Sequence, residues 1–435
     1  MSAEQLPPGW SSAKLGEVAS WGSGGTPSRS NAALYGGSIS WFKTGELGPR
    51  QIFKSEETIT EEALKVSSAK LFPAGSVALA MYGATIGKVS ILGVEAATNQ
   101  ACAVGIPKET ITNTAYLYHY LRSQKEAFVE AGQGGAQPNI SQTVVKSWPF
   151  PVAPLNEQKR IADKLDTVLT RVDAVNSRLA RVAPLLKRFR QSVLAAATSG
   201  RLTEDWRGGR AVNETWRVIP LGKYVENHDG ARVPISETLR TERRGAYPYY
   251  GASGVIDTID GFTHEGKFVL IGEDGANLVT RSKPIAFIAT GKIWVNNHAH
   301  VLKCKEGASD EYLAYYINSI DLTPYVSGSA QPKLNQKNLN TIPVPVPPTE
   351  EQTEIVRRVE TLFAFADRLE ARLAQAQTAA TRLTPALLAK AFRGELVPQD
   401  PNDEPAAELL RRLQAERATA PKASAGRGRK AVVHG

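Results

Sequence analysis

One glycine-rich stretch has the residue types of a phosphate-binding loop. Gly83 and Gly87 precede Lys88, as glycines precede the lysine in loops whose backbone N–H groups bind nucleotide phosphates. Such a loop needs four residues between its glycines and a Ser or Thr after the lysine. Here three residues separate the glycines and Val89 follows the lysine. The spacing therefore argues against a nucleotide site.

Two further groups contain residue types that bind metal ions. His298 and His300 stand two positions apart in the sequence. No Cys or carboxylate cluster accompanies them in the sequence. Asp260, Glu265 and Lys267 loosely resemble the carboxylates and lysine of nucleases, but so short a pattern arises by chance. We interpret the histidines as part of a polar loop and expect no metal site.

Longer catalytic signatures are absent from the sequence. It contains neither Asn-Pro-Pro-Tyr nor Asp-Pro-Pro-Tyr, the loops that a DNA methyltransferase would need, and neither Gly-x-Ser-x-Gly nor His-Glu-x-x-His. We therefore expect a chain without catalytic residues of its own.

The clearest architectural signal is an apolar pattern that occurs twice, after Glu157-Gln158 and again after Glu351-Gln352, 194 positions later. The first copy comprises Ile161, Leu165, Val168, Val172, Val175, Leu179, Val182, Leu186, Phe189 and Val193, and the second comprises Ile355, Val359, Leu362, Ala366, Leu369, Leu373, Ala376, Ala380, Leu383 and Leu387. A stripe with this 3.5-residue period must pack against a partner stripe. The simplest prediction is two long antiparallel coiled-coil helices. The alternative is two amphipathic helices that each lie on their own domain.

Two prolines interrupt the stripes. Pro184 lies in the first and Pro385 in the second, and an interior proline costs a helix about 3 kcal/mol or more. We expect a kink or a short break at each. A helix from Glu157 to about Thr198 would be roughly 60 Å long at about 1.5 Å per residue, which is long enough for a spacer.

The segments before the two stripes also resemble each other. Trp10 opens the first and Trp216 the second. The strands expected are residues 77–81, 88–92 and 101–106 in the first segment and 268–271, 285–288 and 300–303 in the second, followed by short helices at 116–121 and 312–317. Proline-rich exits then lead into the long helices. These features predict a mixed α/β (α+β) fold with an internal duplication and pseudo-two-fold symmetry.

A chain of 435 residues is too long for one hydrophobic core. The predicted domains are residues 1–155 (first globular domain), 156–200 (first long helix), 201–349 (second globular domain), 350–397 (second long helix) and 398–435 (a short helix and a basic, disordered tail).

Composition narrows the class of protein. The formal charge of +9 suits a polyanionic partner, and two cysteines are too few for a disulfide framework. The sequence has neither a run of eighteen apolar residues nor an N-terminal signal pattern. We expect a cytoplasmic protein that does not interact with a membrane.

The duplicated layout resembles the specificity subunit of type I restriction-modification systems. The resemblance spans about residues 10–400 and depends on the order of several short motifs rather than on any one of them. These are Gly24-Gly25-Thr26-Pro27, Gly83-Ala84-Thr85-Ile86-Gly87-Lys88, Gly272-Glu273-Asp274-Gly275-Ala276-Asn277, the loops Gln137-Pro138 and Gln331-Pro332, and the two Glu-Gln helix openings.

In that family, each globular region is a target recognition domain for one half of a split DNA site, and the helices separate the domains and dock other subunits. The resemblance implies three kinds of partner: double-stranded DNA, two methyltransferase subunits, and restriction subunits that join through the complex. It also implies that S-adenosylmethionine, ATP and Mg²⁺ are bound by the partners and that this chain has no cofactor. A competing hypothesis is a structural adaptor that binds protein alone through its helices.

We expect bases and phosphates to be contacted by polar loop residues in both domains. The candidates are Lys43, Tyr82, Thr85, Lys88, Gln137 and Asn139 in the first domain and Arg243, Arg244, Tyr249, Asn277, Gln331 and Lys333 in the second. In the alternative interpretation, Tyr82 and Thr85 pack a turn and the shared glutamines cap loops. The predicted subunit scaffold comprises Ile161, Leu165, Val168, Val172, Leu179, Ile355, Val359, Leu362, Leu369 and Leu373.

Overall fold

The computed structural model describes residues 6–132, 138–328 and 331–419 and divides the chain into two compact units. Unit 1 combines the N-terminal segment up to Ser177 with the C-terminal segment from Thr378, and unit 2 comprises Arg178–Gln377. The linear order of domains predicted above is thus grouped differently. Each unit takes part of both helical segments.

The strands of unit 1 are β1 (Ser11–Lys14), β2 (Ala19–Ser23), β3 (Tyr35–Phe42), β4 (Gln51–Ile52), β5 (Glu57–Ile59), β6 (Leu71–Phe72), β7 (Val77–Ala80), β8 (Val89–Leu92), β9 (Ala96–Thr98), β10 (Cys102–Pro107) and β11 (Pro149–Val152). Those of unit 2 are β12 (Arg217–Pro220), β13 (Val225–Asn227), β14 (Tyr247–Gly251), β15 (Gly254–Ile259), β16 (His264–Gly272), β17 (Ala286–Val295), β18 (Ala299–Cys304) and β19 (Pro343–Val346).

The α-helices are α1 (Leu15–Val18), α2 (Glu61–Val66), α3 (Thr114–Ser123), α4 (Lys125–Ala131), α5 (Gln142–Ser147), α6 (Leu155–Ala180), α7 (Val182–Thr198), α8 (Val212–Thr215), α9 (Leu221–Tyr224), α10 (Glu237–Glu242), α11 (Asn277–Thr280), α12 (Asp310–Ser319), α13 (Gln336–Thr341), α14 (Thr349–Phe392) and α15 (Ala406–Thr419). Within the described residues, none of these helices is both long and apolar enough to cross a lipid bilayer.

Each unit contains its own sheet, and four strands have the same order in both. In unit 1 the strand order β2-β10-β7-β8 continues to β4, and in unit 2 the order β13-β18-β16-β17 continues to β14 and β15. The four shared strands pair antiparallel in both units. Unit 1 adds a second sheet with the order β5-β3-β9-β6. The predicted strands, the predicted short helices and the internal duplication are therefore confirmed.

The proline-rich exits are also strands, and each pairs with the first strand of its own unit. β11 pairs with β1 and β19 pairs with β12, both antiparallel. Tyrosines of α3 and α12, the core helices that precede these exits in the chain, also bond to the exits. Tyr116 Oη donates to the carbonyl of Pro151 at 3.0 Å, and Tyr312 Oη donates to the carbonyl of Pro345 at 2.6 Å. Each exit is thus fixed before its long helix begins.

In unit 1, the long helical segments contribute directly to the core. Leu165 and Leu169 of α6 are buried in the same cluster as Leu388 and Phe392 of α14. The Phe392 ring packs against Tyr116 of α3, with 5.3 Å between ring centroids. The C-terminal end of α14 therefore completes the core of unit 1.

In unit 2, the remaining parts of the helical segments pack on each other. Leu186 of α7 is buried with Ala366 and Leu373 of α14. Arg190 adds an ion pair with Asp367 at 2.6 Å on the exposed side of this contact. The antiparallel helix pairing that the repeated apolar stripe predicts is confirmed.

The helical segments differ from the prediction in one respect. The first helical segment consists of two helices, α6 and α7, which are separated by a break at Arg181. Pro184 then lies in the first turn of α7, where its missing N–H is not needed. At Pro385, where a kink or a short break is predicted, α14 continues without a break. Gly200 follows α7 with φ +78°, a left-handed conformation in which glycine commonly ends a helix.

A buried carboxylate anchors the start of α6 to unit 1. Trp10 Nε1 donates to Glu157 Oε2 at 3.0 Å, and Glu157 is 1% exposed. The neighbouring Gln158 donates through Nε2 to the carbonyls of Ala153 and Ile111, both at 2.8 Å. The Glu-Gln pair that opens the repeat is thus an internal clamp between helix and domain.

The same clamp is present in unit 2. Trp216 Nε1 donates to Glu351 Oε2 at 2.8 Å, and Gln352 Nε2 donates to the carbonyl of Pro347 at 2.9 Å. The second oxygen of Glu351 accepts from the guanidinium of Arg207 at 2.6 Å. Both side chains of this ion pair are buried.

The two clamps therefore differ in charge balance. Among the described residues, the second carboxylate oxygen of Glu157 has no hydrogen-bond partner. Burial raises the pKa of Glu157 above its ordinary value, and the Trp10 N–H only partly opposes this shift. Because the folded state favours the protonated carboxyl, the contribution of Glu157 to stability is largest at pH values below the ordinary glutamate pKa. It is lost as the pH rises through the raised value.

This difference predicts opposite outcomes for two equivalent substitutions. At neutral pH, Glu351→Gln should destabilise unit 2 by on the order of 3 kcal/mol, because it leaves the buried Arg207 charge uncompensated. Glu157→Gln should change the stability of unit 1 by less than about 1 kcal/mol, since it removes an unpaired buried charge but leaves an amide with an incomplete set of bonds. Hydrogen exchange resolved by peptide measures each unit separately. Equal losses in both units would contradict this account.

Candidate DNA interface

In unit 1, two of the predicted loops meet. Tyr82 and Asn139 form an isolated antiparallel bridge through their backbones. The N–H of Gly83 donates to the carbonyl of Pro138 at 2.9 Å, and Gly83 has φ +62°, a conformation that favours glycine. The Tyr82 side chain is 45% exposed beside this bridge. The bridge therefore places two candidate side chains on neighbouring backbone.

Unit 2 has the same bridge with different side chains. Asp274 and Lys333 form an isolated antiparallel bridge, and the N–H of Gly275 donates to the carbonyl of Pro332 at 3.0 Å. Gly275 also has positive φ, +99°. Asp274 therefore takes the place of Tyr82, and Lys333 takes the place of Asn139. We call these two bridges with their flanking glycine and proline the loop frames.

The loop frames combine a common backbone with unlike side chains. Their hydrogen bonds are made by backbone groups, so the residue types at the two bridge positions are free to differ. One frame carries a phenol and a carboxamide. The other carries a carboxylate that is 15% exposed and paired with His298, and an ammonium group whose side chain is 52% exposed. These groups differ in the donors and acceptors that they offer to base edges.

Other predicted residues of unit 1 have contacts within the unit. The Thr85 hydroxyl donates to the carbonyl of Tyr82 at 2.7 Å, so it supports the turn. Lys43 lies between Glu56 at 3.0 Å and Glu57 at 2.9 Å. Lys88 Nζ lies 3.5 Å from the carbonyl of Gly45, and Gln137 lies outside the described residues.

The predicted arginines of unit 2 lie at the end of its β14–β15 sheet extension. Arg243 pairs with Asp260 at 2.7 Å and lies over the Trp294 ring, 5.1 Å from its centroid. The Arg243 guanidinium holds the pKa of the Asp260 carboxyl below its ordinary value. Arg244 is exposed. Both residues keep a surface position, and DNA contact by them stays a prediction.

Tyr249 does not have a surface position. It is 1% exposed, and its hydroxyl accepts a hydrogen bond from the N–H of Ile235 at 3.0 Å. The prediction that it contacts DNA is therefore corrected, because its ring belongs to the interior of unit 2. Tyr249 and Tyr250 are neighbours in β14 and therefore point to opposite faces, and the sequence alone did not indicate which face is buried.

Asn277 supports its own loop. Its Oδ1 accepts from the N–H of Lys283 at 3.0 Å and from the Ser282 hydroxyl at 3.0 Å, and its Nδ2 donates to the carbonyl of Lys283 at 3.2 Å. Gln331 is exposed and directly precedes the second loop frame. Of the polar candidates in this part of unit 2, Gln331 and Lys333 thus retain exposed side chains.

A charged cluster that was not predicted from the sequence lies at the second loop frame and includes Asp274 of that frame. It comprises Asp229, Arg232, Glu273, Asp274, His298 and His300. His298 Nδ1 lies 2.7 Å from Asp274 and His300 Nδ1 lies 2.6 Å from Asp229, so the two histidines have different carboxylate partners. The signal available in the sequence was the position of Asp274 in the Gly272–Gly275 motif, where the first unit has Tyr82.

The predicted scaffold residues are mostly interior. Ile161, Leu165, Val172, Ile355, Val359 and Leu373 are buried, whereas Val168, Leu179, Leu362 and Leu369 are partly buried. The buried members pack each unit together and have no surface for a partner. Among the stripe residues, Val175 is 45% exposed and Leu383 is 46% exposed.

Comparison with known proteins identifies the family. Residues 7–183 and again residues 213–377 match the family described as type I restriction modification DNA specificity domain. The EcoDI type I specificity subunit of Escherichia coli is 28% identical over 96% of this chain and 97% of its own length. The EcoKI specificity subunit of Escherichia coli K12 is 27% identical over the same shares.

Solved structures agree on the fold. A chain from a study of complex assembly and conformational transition of the type I R-M system has a TM-score of 0.72 and 21% identity, covering 90% of this chain and 99% of its own. The HsdS subunit of Thermoanaerobacter tengcongensis has a TM-score of 0.58 and 21% identity, covering 90% of this chain and 98% of its own. With its two matched domains and its two loop frames, this chain belongs to the type I restriction-modification specificity subunits.

Proposed function

We propose that the loop frames carry the base-specific contacts of this specificity subunit, so that Tyr82 and Asn139 read one half of a bipartite target and Asp274 and Lys333 read the other. The observation that carries this proposal is the common backbone with unlike side chains. Side chains that are the same in both units would read the same bases, whereas the frames differ at both bridge positions. Carboxamide and ammonium groups both bind base edges in the major groove.

Binding to DNA also requires phosphate contacts that do not depend on sequence. Arg243, Arg244, Lys43 and Lys88 are the candidates for these contacts. Three of them already contact acceptors within the protein, as described above. Exposed ion pairs contribute only about 0–1 kcal/mol, so phosphates can replace these partners at little cost.

We propose further that this chain has no catalytic role and acts in a complex. Methyltransferase subunits, two per chain, would dock on the helical segments, and restriction subunits would join through the complex. S-adenosylmethionine, ATP and Mg²⁺ would be bound by those partners. The exposed apolar side chains on the helices support this docking: Val175 and Leu383 in unit 1, and Leu185 and Phe365 in unit 2.

A selection experiment tests the reading function. The complex of this chain with its methyltransferase subunits should select, from random duplexes at a fixed salt concentration, two short sequences separated by unread base pairs. Asn139→Ala should relax the selection in one half only, and Lys333→Ala in the other half only. Each loss should be about 1–3 kcal/mol for the affected base.

The two variants serve as controls for each other, and Lys305→Ala provides a third. Lys305 is exposed and follows β18, at the end of that strand away from His300. Its replacement should leave both half-sites unchanged. A complex that selects no sequence would instead support the protein-binding adaptor, and loss of the same half-site in both variants would contradict the assignment of one half to each unit.

Docking on the helices is tested separately. Phe365→Asp should weaken binding of the methyltransferase subunits by at least about tenfold, or about 1.4 kcal/mol, because a charge would be desolvated in the contact. The side chain is 49% exposed, so unit 2 should keep its thermal stability. Arg372→Asp, at another exposed position of α14, is the matched control. Equal affinity of both variants, measured by calorimetry, would exclude Phe365 from the contact.

A further inference from the structure

A buried histidine lies directly under the second loop frame. His300 is 1% exposed. Its Nδ1 lies 2.6 Å from Oδ2 of Asp229, and its Nε2 lies 2.8 Å from the carbonyl oxygen of Leu334, the residue after Lys333. The ring therefore connects the loop to the body of unit 2.

Both partners of the ring are hydrogen-bond acceptors. A carboxylate and a backbone carbonyl have no hydrogen to donate, so both ring nitrogens must donate to satisfy this geometry. A ring with one proton would lose one of the two bonds.

The charged side chains around the ring contact one another in a connected network. Arg232 pairs with Glu273 at 2.6 Å and lies 3.4 Å from Asp229, and Lys333 Nζ lies 3.2 Å from Glu273. His300 Nδ1 lies 3.9 Å from the same Glu273 carboxylate. The side chain and the following backbone of Lys333 are thus held by one connected group of charges.

Unit 1 has a different residue at the equivalent place. His300 pairs in register with Ile271 of β16, and Ala103 pairs in register with Leu79 of β7, the equivalent strand. Ala103 has a methyl group that makes no hydrogen bonds. This connection to the loop therefore belongs to unit 2, although the frame above it is common to both units.

We propose that His300 is a positioning residue that fixes the segment Gln331–Leu334 so that Lys333 meets its base, and that it therefore controls recognition of only one half of the DNA target. This inference rests on the proposed function of the loop frames. His300 itself is buried and makes no contact with DNA. Its effect is transmitted through the bond to the Leu334 carbonyl and through the charges that hold Lys333.

Two substitutions separate the two bonds of the ring. His300→Asn keeps a donor near the position of Nδ1, facing Asp229, and removes the bond to Leu334. His300→Gln keeps a donor near the position of Nε2, facing the Leu334 carbonyl, and removes the bond to Asp229. In the duplex selection with the complete methyltransferase complex, His300→Asn should lower the preference for the half-site affected by Lys333→Ala by at least about tenfold. His300→Gln should retain more of that preference, and the other half-site should be unchanged in both.

The matched control is His264→Asn. His264 is also a buried histidine of unit 2, but its ring contacts the Thr263 hydroxyl and the carbonyl of His228 instead of the loop. It should leave the base preference of both half-sites unchanged. Equal effects of His264→Asn and His300→Asn on the selected sequence would overturn the proposal, because they would indicate a general loss of folding.

The outcomes distinguish this proposal from the one on which it depends. If the unmodified complex selects no sequence, the reading function fails. If the unmodified complex selects two half-sites, and the His300→Asn complex selects the same two half-sites with the same preference as the unmodified complex, the positioning role fails. Should His300→Asn not fold, a double-mutant cycle of His300→Gln with Lys333→Ala decides. A non-additive loss of affinity supports positioning, and an additive loss contradicts it.

Discussion

The position of each long helix on its own unit depends on a buried carboxylate held by an indole N–H. Glu157 with Trp10 and Glu351 with Trp216 make this bond at the first turn of the helices. A buried carboxylate is costly unless it is hydrogen-bonded, so few other arrangements of helix and domain are stable. Each bond therefore fixes the first turn of its helix on the unit in which that helix begins.

The duplicated backbone explains how one architecture serves two recognition domains. Four antiparallel strands, a tyrosine-bearing helix and a proline-rich exit recur in both units, and the loop frames are built from backbone hydrogen bonds. Backbone bonds do not depend on the side chain, so the residues at the bridge can change without loss of the frame. The result is a bridge of Tyr82 and Asn139 in one unit and a bridge of Asp274 and Lys333 in the other.

The excess positive charge has a more specific arrangement than the net value of +9 suggests. Lys43, Arg243 and Lys333 each pair with carboxylates of their own unit. These pairs hold the cationic groups in defined positions, and a partner must replace the carboxylates to bind them. The net positive charge thus favours an anionic partner. The ion pairs within each unit limit which cationic groups are free to bind that partner.

The repeated apolar stripe, the strand pattern and the Glu-Gln openings were sufficient to predict the duplication, the long helices, the two short core helices and six of the strands, because these features depend on residues close in sequence. Contacts between distant residues were decided by tertiary structure. They include the burial of Tyr249, the match of Asp274 to Tyr82 and the bond from His300 to the carbonyl of Leu334 beside the second loop frame. Periodicity indicates which side chains leave water, but strand register and the chain path determine which groups they meet, and both emerge only when the whole unit packs.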